Sequence, residues 1–338
     1  MLTRALIGFV VVLLVTELVL RFALAGPLPY EFDPRYGKIG RPGASLVQSE
    51  EGYFNGRLNS LGHVDVEPRP AGERRRVLVL GDSQTAAREV PLEESFANRL
   101  EPLLDVDVEN AGVAGWSPVN YAAYLRDIAD RLRPDHVVLQ LGGGDFDDLQ
   151  EDHRIHLVRT PTGFAVELPA RQLEVGAARA IARRVMRSSA LATHVVRRAG
   201  LLAAEQAKRL RAHFRGPPPA EPACGSLPEA WTVDAVRSLI AGMRQQAPAM
   251  TALYLPRLSY RAGCVDVCAE RGAVLRHMIS ELGIPLVDST DALCADFAES
   301  GQPGTGFANS ILGEGHFNRR GHAVIARELA ASLRGSRP

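Results

Sequence analysis

The sequence predicts a three-layer α/β protein with a mainly parallel five-stranded sheet and a long helical insertion. Short runs rich in valine, leucine and isoleucine alternate along the chain with segments of helical periodicity. Strands that alternate with helices form parallel sheets, which helices cover on both faces. The chain has 338 residues, 46% of them hydrophobic and 23% charged, which is enough for one such domain with a sizeable core.

The first 25 residues predict an N-terminal transmembrane anchor or a signal peptide. Arg4 precedes Ala5–Val15, eleven residues with no charge, and Glu17 and Arg21 interrupt the later part at a spacing that lets them pair. About 20 apolar residues span a bilayer, whereas Ala23-Leu-Ala25 resembles a cleavage site. We expect an uncleaved anchor, because charges so close to a cleavage site are unusual. Arg4 on the inside places the remainder outside the cytoplasm, in the periplasm or beyond.

Residues 26–73 predict a linker or strap laid over the domain that follows. They are rich in glycine, proline and polar residues and have no sustained period. The basic trio Arg74–Arg76 closes this segment and the first strand begins. The main domain is therefore expected over residues 74–338.

Strands and helices alternate from there to the C-terminus. The predicted strands are Val77–Leu80, Val106–Glu109, His136–Leu141, Thr251–Leu255 and Ile284–Val287. The predicted helices lie at about Glu93–Leu104, Val119–Leu132, Thr232–Gln246, Glu270–Leu282 and Arg319–Leu333.

The connection between the third and fourth strands is too long for a simple crossover, and it predicts an insertion over about residues 150–248. Within it, Ala170–Arg215 is rich in alanine and arginine and is predicted to be helical. Such a segment suits a lid, a basic surface for anionic lipid or polysaccharide, or a solvated helix face. We favour the solvated face.

Bulk composition limits the classes of partner. The formal net charge is zero, which gives no reason to expect nucleic acid. The four cysteines match no zinc-site spacing. Outside the cytoplasm they allow one or two disulfides, with Cys264 and Cys268 forming a plausible short loop, and four free thiols are the alternative. We expect no cofactor and no metal ion.

Residues suited to acyl transfer follow different strands. Ser83 comes directly after the first strand, and the glycine-containing runs Asn110–Gly115 and Gly142–Asp145 follow the second and third. His316 lies in a run that opens the last helix. Because the carboxyl ends of parallel strands share one edge, a nucleophile, a base and oxyanion donors are expected to meet there. The bland alternative for Ser83 is an ordinary strand-to-helix turn with a serine cap.

These four runs, in this order, resemble the SGNH (GDSL-type) hydrolase family. The Asn59-Ser-Leu-Gly62 run and the N-terminal helix resemble its membrane-anchored members. The resemblance implies a flavodoxin-like sheet and hydrolysis or transfer of acyl groups, often from carbohydrates or lipids. It implies Ser83 as nucleophile, His316 as general base, and the amides of Ser83 and Gly115 in the oxyanion hole.

Two positions depart from the family pattern. Gly144 stands where the family has an asparagine that donates to the oxyanion, and Gly313 stands where it has the acid that orients the histidine. Glu314 is the nearest acid and is expected to hold the His316 ring. Asp82 and Asp145 are expected in supporting roles, whereas His322 is expected to pack or to cap the last helix rather than to act in catalysis.

The resulting hypothesis is a serine esterase acting on O-acyl groups, such as O-acetyl groups, of a cell-envelope glycan or lipid through an acyl-enzyme. One alternative is an O-acyltransferase, in which a sugar hydroxyl replaces water. Another is a non-catalytic envelope module, which the loss of a donor at Gly144 would favour.

Overall fold

A computed structural model describes residues 1–24, 26–70, 72, 74–147, 149, 156–161, 163–167, 177–196, 198–200, 202, 206, 224–261 and 263–335. The strands are β1 Tyr30–Asp33, β2 Gly37–Gly40, β3 Ser45–Gln48, β4 Phe54–Arg57, β5 Arg76–Gly81, β6 Asp107–Gly112, β7 His136–Leu141, β8 His156–Thr160, β9 Gly163–Glu167, β10 Met250–Tyr254, β11 Leu258–Ser259, β12 Val265–Asp266 and β13 Leu286–Asp288. The helices are α1 Leu2–Val19, which continues as a π-helical turn Leu20–Leu24, α2 Ser83–Ala86, α3 Leu100–Leu104, α4 Pro118–Leu132, α5 Ala177–Ser188, α6 over residues 190–196 and 198–200, α7 Ala230–Gln246, α8 Ala269–Glu281, α9 Thr290–Ser300 and α10 Arg319–Gly335.

The centre of the fold is a five-stranded, all-parallel sheet, as predicted. Its strand order is β13-β10-β7-β5-β6, so the chain runs from β5 outwards to β6 and then crosses back to β7 on the other side. This is the flavodoxin-like order, and ligands bind in such sheets at the carboxyl edge where the direction of winding reverses. Here that point lies between β5 and β7.

Helices cover the sheet on both faces and complete three layers. Alternate residues of β5 point to opposite faces: Leu78 and Leu80 join a cluster with α4, α7 and α8, whereas Val77 and Val79 join one with α3 and α10. All four side chains are at most 1% exposed. Burial on both faces explains why the strand is a continuous apolar run and not an alternating one.

The segment over residues 26–73, for which we predicted no regular elements, contains two antiparallel hairpins, β1–β2 and β3–β4. Tyr36, Ile39 and Leu61 belong to the main core cluster, so this strap packs onto the domain. Asn59 closes it, because its Oδ1 accepts hydrogen bonds from the amides of Leu61 and His63 at 3.0 and 2.9 Å. Asparagine commonly makes such local bonds in turns.

The helix at Thr290–Ser300 was not predicted. The Asp288 carboxylate accepts from the Thr290 amide at 2.9 Å and so caps the start of that helix. The helix predicted at Glu93–Leu104 is instead a 3₁₀ turn, Leu92–Glu94, and the short α3. Ser95 between them has an extended backbone (ψ 147°), which ends the first turn.

Two disulfides link segments that are distant in the chain. Cys224 pairs with Cys268, and Cys264 pairs with Cys294. The predicted short loop between Cys264 and Cys268 is therefore wrong, because each of the two cysteines faces a partner on a different segment.

The predicted insertion contains helices α5, α6 and α7 among its described residues, together with an unpredicted hairpin, β8–β9. The predicted helical stretch Ala170–Arg215 lies partly outside the described residues. At the N-terminus, Thr3–Leu24 is long and apolar enough to cross a membrane, a property that signal sequences share.

Candidate active site

Ser83 begins α2, directly beyond the end of β5. The preceding residue, Asp82, caps this turn, since its carboxylate accepts from the Gln84 amide at 2.8 Å. Gln140, from β7, accepts from the Asp82 amide at 3.0 Å and from the Thr85 hydroxyl at 3.1 Å. The serine turn is therefore fixed to the neighbouring strand at the point where the sheet reverses its winding.

His316 lies beside Ser83, with its Nε2 2.9 Å from the serine Oγ. The residue after the histidine is tied to the same turn, because the Phe317 amide donates to Gln84 Oε1 at 3.1 Å. The nucleophile and base implied by the resemblance are thus within hydrogen-bond reach, although 233 positions separate them in the chain.

The acid that holds the histidine is Glu51, which the sequence analysis missed. Its Oε2 is 2.7 Å from His316 Nδ1, and its Oε1 accepts from the His316 amide at 2.8 Å. Glu51 lies in the tip between β3 and β4, in the predicted strap, 265 positions before the histidine. No local pattern marks a glutamate in a Ser-Glu-Glu-Gly turn as the partner of so distant a residue.

Glycines let the hairpin tip approach the histidine loop. Gly315 has φ +84°, and a Cβ there would lie 2.1 Å from Glu51 Oε1. Gly52 has φ +63°, and a Cβ there would lie 2.1 Å from the Glu89 carbonyl oxygen. Asn309 then fixes the tip, because its side chain accepts from the Gly52 amide at 2.9 Å and donates to the Ser49 carbonyl at 3.0 Å.

Glu314 does not hold the His316 ring, which corrects the prediction. Its carboxylate pairs with Arg261 Nη2 at 3.0 Å and its side chain is 51% exposed. Glu314 lies in a turn between two glycines of positive φ, Gly313 and Gly315, and its carboxylate contacts Arg261 whereas the His316 ring contacts Glu51.

The charges around His316 favour its protonated form. Burial alone would lower the pKa of His316, but the hydrogen bond to Glu51 and the charges of Glu89 and Glu51 outweigh it and raise the pKa above its ordinary value. The Glu89 Oε1 is 3.8 Å from His316 Nδ1 and 3.2 Å from Arg88 Nε. Burial opposes ionisation of Glu51 as well, yet its bonds with His316 keep its pKa below the usual value.

The glycines expected around an oxyanion follow the neighbouring strands. Gly115, with φ +82°, lies after β6, and Gly144 lies after β7. Within the described part of the chain, no hydrogen bond to a protein acceptor uses the amide of Ser83 or of Gly115. A Cβ at Gly144 would meet no heavy atom within 4 Å, so this position faces open space.

The remaining predicted residues are structural. Asp145 is 3% exposed, and its Oδ2 accepts from the Gly142 amide at 2.6 Å, which shapes the loop after β7. His322 is 1% exposed, accepts from the Phe96 amide at 3.2 Å and stacks on the Phe96 ring. Burial lowers the pKa of His322 to about 3, which keeps it neutral in its packing role.

Fold and site together define an α/β protein of the SGNH-hydrolase type, with a serine, a histidine and a carboxylate aligned at the carboxyl edge of its sheet. The chain belongs to the GDSL-like Lipase/Acylhydrolase family, whose model matches residues 79–324. The match spans most of the main domain, and it leaves out both the apolar helix and the strap that carries Glu51.

Individual proteins resemble this chain either over a short stretch or over most of its length at low sequence identity. An arylesterase of Vibrio mimicus is 36% identical over 75 residues, which are 21% of this chain and 38% of that protein, so the chain spans well under half of that relative. A member of the lipolytic G-D-S-L family from Veillonella parvula aligns over 78% of this chain and 100% of its own, at 15% identity and a TM-score of 0.44. A catalytic mutant of an acetylxylan esterase from Geobacillus stearothermophilus aligns over 78% of this chain and 95% of its own, at 13% identity and a TM-score of 0.41.

Proposed function

We propose that the protein is a serine ester hydrolase that works through an acyl-enzyme on Ser83. The observation that carries this proposal is the continuous hydrogen-bonded chain from Ser83 Oγ to His316 to Glu51, at 2.9 and 2.7 Å. Hydroxyl nucleophiles need an adjacent base, and the base needs a group that fixes its tautomer. The nucleophile, the base and the group that fixes the tautomer would come from three different parts of the fold.

In this mechanism His316 Nε2 takes the proton of Ser83 as the serine oxygen attacks the ester carbonyl. Glu51 accepts the hydrogen bond from Nδ1–H, stays ionised and stabilises the imidazolium that forms. His316 then passes the proton to the departing alcohol, which leaves Ser83 acylated. Water then attacks the acyl-enzyme carbonyl while His316 takes its proton, and His316 returns that proton to Ser83 as the carboxylic acid is released.

The amides of Ser83 and Gly115 are the proposed donors to the oxyanion. The family asparagine, the third donor, is replaced by Gly144, which supplies no side chain. Losing one such donor costs on the order of 10²–10³ in turnover where it has been tested. A slow esterase is therefore expected, and the same absence is the observation that favours a non-catalytic binding module as the second candidate.

The proposed substrate is an O-acyl group, such as an O-acetyl group, on a cell-envelope glycan or lipid. Two features support a location outside the cytoplasm: the apolar Thr3–Leu24 helix and the two disulfides, which persist in oxidising compartments. In the same site a sugar hydroxyl in place of water would give O-acyl transfer.

The test uses the full chain in detergent, with p-nitrophenyl acetate as substrate and a fluorophosphonate as active-serine label. We expect turnover and labelling in the wild type and in Ser280→Ala, an exposed serine on α8. We expect neither in Ser83→Ala, and a loss of at least 10³-fold in His316→Ala. Equal activity in the wild type and Ser83→Ala would overturn the esterase and direct attention to glycan binding.

A further inference from the structure

The end of the apolar N-terminal helix is bound to the helical insertion. The Glu17 carboxylate accepts from the Ser189 hydroxyl at 2.8 Å and from the amides of Ala190 and Leu191, both at 2.9 Å. It therefore caps the start of α6, whose first amides lack helical acceptors of their own. Arg21 completes the junction, because it pairs with Glu17 at 2.6 Å and also donates to the Ser188 carbonyl.

This junction fixes where the insertion lies along the apolar helix. Glu17 and Arg21 are the only charged residues between Arg4 and the end of the helix at Leu24. Charged pairs on membrane helices lie towards the interface with water. Helix α5 ends and α6 begins at Ser188–Ser189, so the junction between the two helices lies at the level of this interface.

Both helices present apolar side chains to the outside. Ile181 and Val185, one turn apart on α5, are 65% and 48% exposed. Val195 and Val196 on α6 are 56% and 51% exposed, and Leu202 beyond it is 65% exposed. These residues are not buried against the domain, and the helices that carry them are joined at Ser188–Leu191 to the end of an apolar helix that is itself exposed along its length.

The same stretch carries only positive charge. Residues 177–200 contain six arginines and neither aspartate nor glutamate. Apolar residues on one side and arginines on the other are typical of helices that lie in the plane of a membrane interface, and arginines next to the headgroups attract anionic lipids.

We propose that α5 and α6 form a platform that lies on the bilayer surface, in the leaflet where the apolar helix ends. Its apolar residues enter the headgroup boundary and its arginines contact anionic headgroups. The occupant of this exposed face is therefore lipid. The proposal rests on the proposed anchor but not on the chemistry at Ser83, because none of the platform residues belongs to the site.

The test places one fluorophore at a time on the full chain in nanodiscs of phosphatidylcholine and phosphatidylglycerol. The four native cysteines are paired, so a thiol-reactive NBD dye labels the introduced cysteine in Ile181→Cys or Val195→Cys. Both positions are exposed, and labelling there leaves the core intact. Leu14→Cys, on the apolar helix, and Glu328→Cys, exposed on α10, serve as references inside and outside the lipid.

We expect NBD at positions 181 and 195 to be blue-shifted and quenched by lipids that carry a nitroxide, as at position 14 and unlike position 328. Reversing charge with Arg184→Glu and Arg198→Glu, or omitting phosphatidylglycerol, is expected to reduce that quenching at least twofold. Emission at 181 and 195 equal to that at 328 would overturn the platform, as would shielding from aqueous iodide without quenching by nitroxide lipid. Unquenched dye at position 14 would overturn the anchor and the platform together. Adding Ser83→Ala should leave every signal unchanged.

Discussion

At the scale of single residues, the defining contact of the site joins Glu51, near the start of the chain, to His316, near its end. Glu51, in a strap hairpin, binds both the ring and the backbone amide of His316. Two contacts to one carboxylate fix the ring orientation as well as its tautomer, which a single bond from a mobile side chain would not do. Exposed Glu314, paired with Arg261, has neither contact.

Glu51→Gln is expected to lower kcat/KM by on the order of 10²–10⁴. It also removes the negative charge of Glu51, which helps to raise the pKa of His316, so that pKa falls. Because the base must be neutral, activity is lost as the pH falls through the His316 pKa, and in the variant this acid limb moves to lower pH. The measurement is kcat/KM against pH.

Glu314→Gln is the matched control for that variant. It removes a carboxylate two residues from His316 that pairs only with Arg261 among its described contacts. We expect its kcat/KM and its acid limb to equal those of the wild type within twofold. A large loss in Glu314→Gln with little effect in Glu51→Gln would show that the acid has been wrongly identified.

Gly144→Asn is expected to raise turnover, because it restores the family donor. A Cβ at this position meets nothing within 4 Å, and the backbone does not have a positive φ, so the side chain can be accommodated. The expected gain in kcat is on the order of 10²–10³. Steady-state kinetics with p-nitrophenyl acetate measure it, and a folded variant with unchanged or lower kcat would show that the oxyanion is stabilised in some other way.

At the scale of elements, the sequence predicts strand positions best where both faces of a strand are buried. β7 was predicted over its observed range, and β5 within two residues of it, because valine and leucine fill both faces of the sheet. The strap hairpins were missed, because their strands are four residues long and only half-buried at Tyr30–Asp33. Their stability comes from packing on the domain, which no local pattern records.

The strap also buries acids of β6, and this makes stability depend on pH. Glu109 is 3% exposed, accepts from Asn59 at 3.4 Å, and burial, assisted by the nearby charge of Asp65, raises its pKa from 4.5 to about 8. The folded protein thus keeps a proton that the unfolded chain releases above pH 4.5. The contribution of this proton to folding is lost as the pH rises towards 8.

Glu109→Gln removes that titration while keeping an acceptor for Asn59. As the pH rises from 5 to 8, we expect the free energy of unfolding of the wild type to fall by on the order of 2–4 kcal/mol relative to that of the variant. Urea unfolding of both proteins at the two pH values measures the difference. Parallel curves at both values would mean that Glu109 is already ionised in the fold.

At the scale of the whole molecule, the parallel sheet, its covering helices and the Ser83–His316 pair were predictable, because each depends on runs of residues with a recognisable period or motif. The acid and the disulfide pairing were not. Glu51 contacts a residue 265 positions away, and Cys224 pairs across 44 positions, so both depend on how distant segments pack. The family model does not cover Glu51 either, because its match to residues 79–324 begins after the strap.

The two disulfides are expected to contribute strongly to stability. They close segments of 44 and 30 positions, and cross-links of this span stabilise by roughly 2–4 kcal/mol each. Dithiothreitol should therefore lower the midpoint of thermal unfolding by several degrees. Cys264→Ala with Cys294→Ala isolates the shorter link, and a midpoint that resists both reduction and this double substitution would refute the expectation.

The β3–β4 hairpin touches the apolar helix as well as the histidine. The Asn55 side chain donates to the Phe22 carbonyl at 2.8 Å, and the Ser49 hydroxyl donates to the Leu24 carbonyl. If the apolar helix is the proposed membrane anchor, these contacts hold Ser83 at a fixed distance from the bilayer surface. Esters carried by lipids, or by glycan held against the membrane, reach it by lateral diffusion in a plane. On the same proposal, freely dissolved esters would reach the site only by diffusion through bulk solution, so the distance of Ser83 from the membrane would favour substrates held near the bilayer.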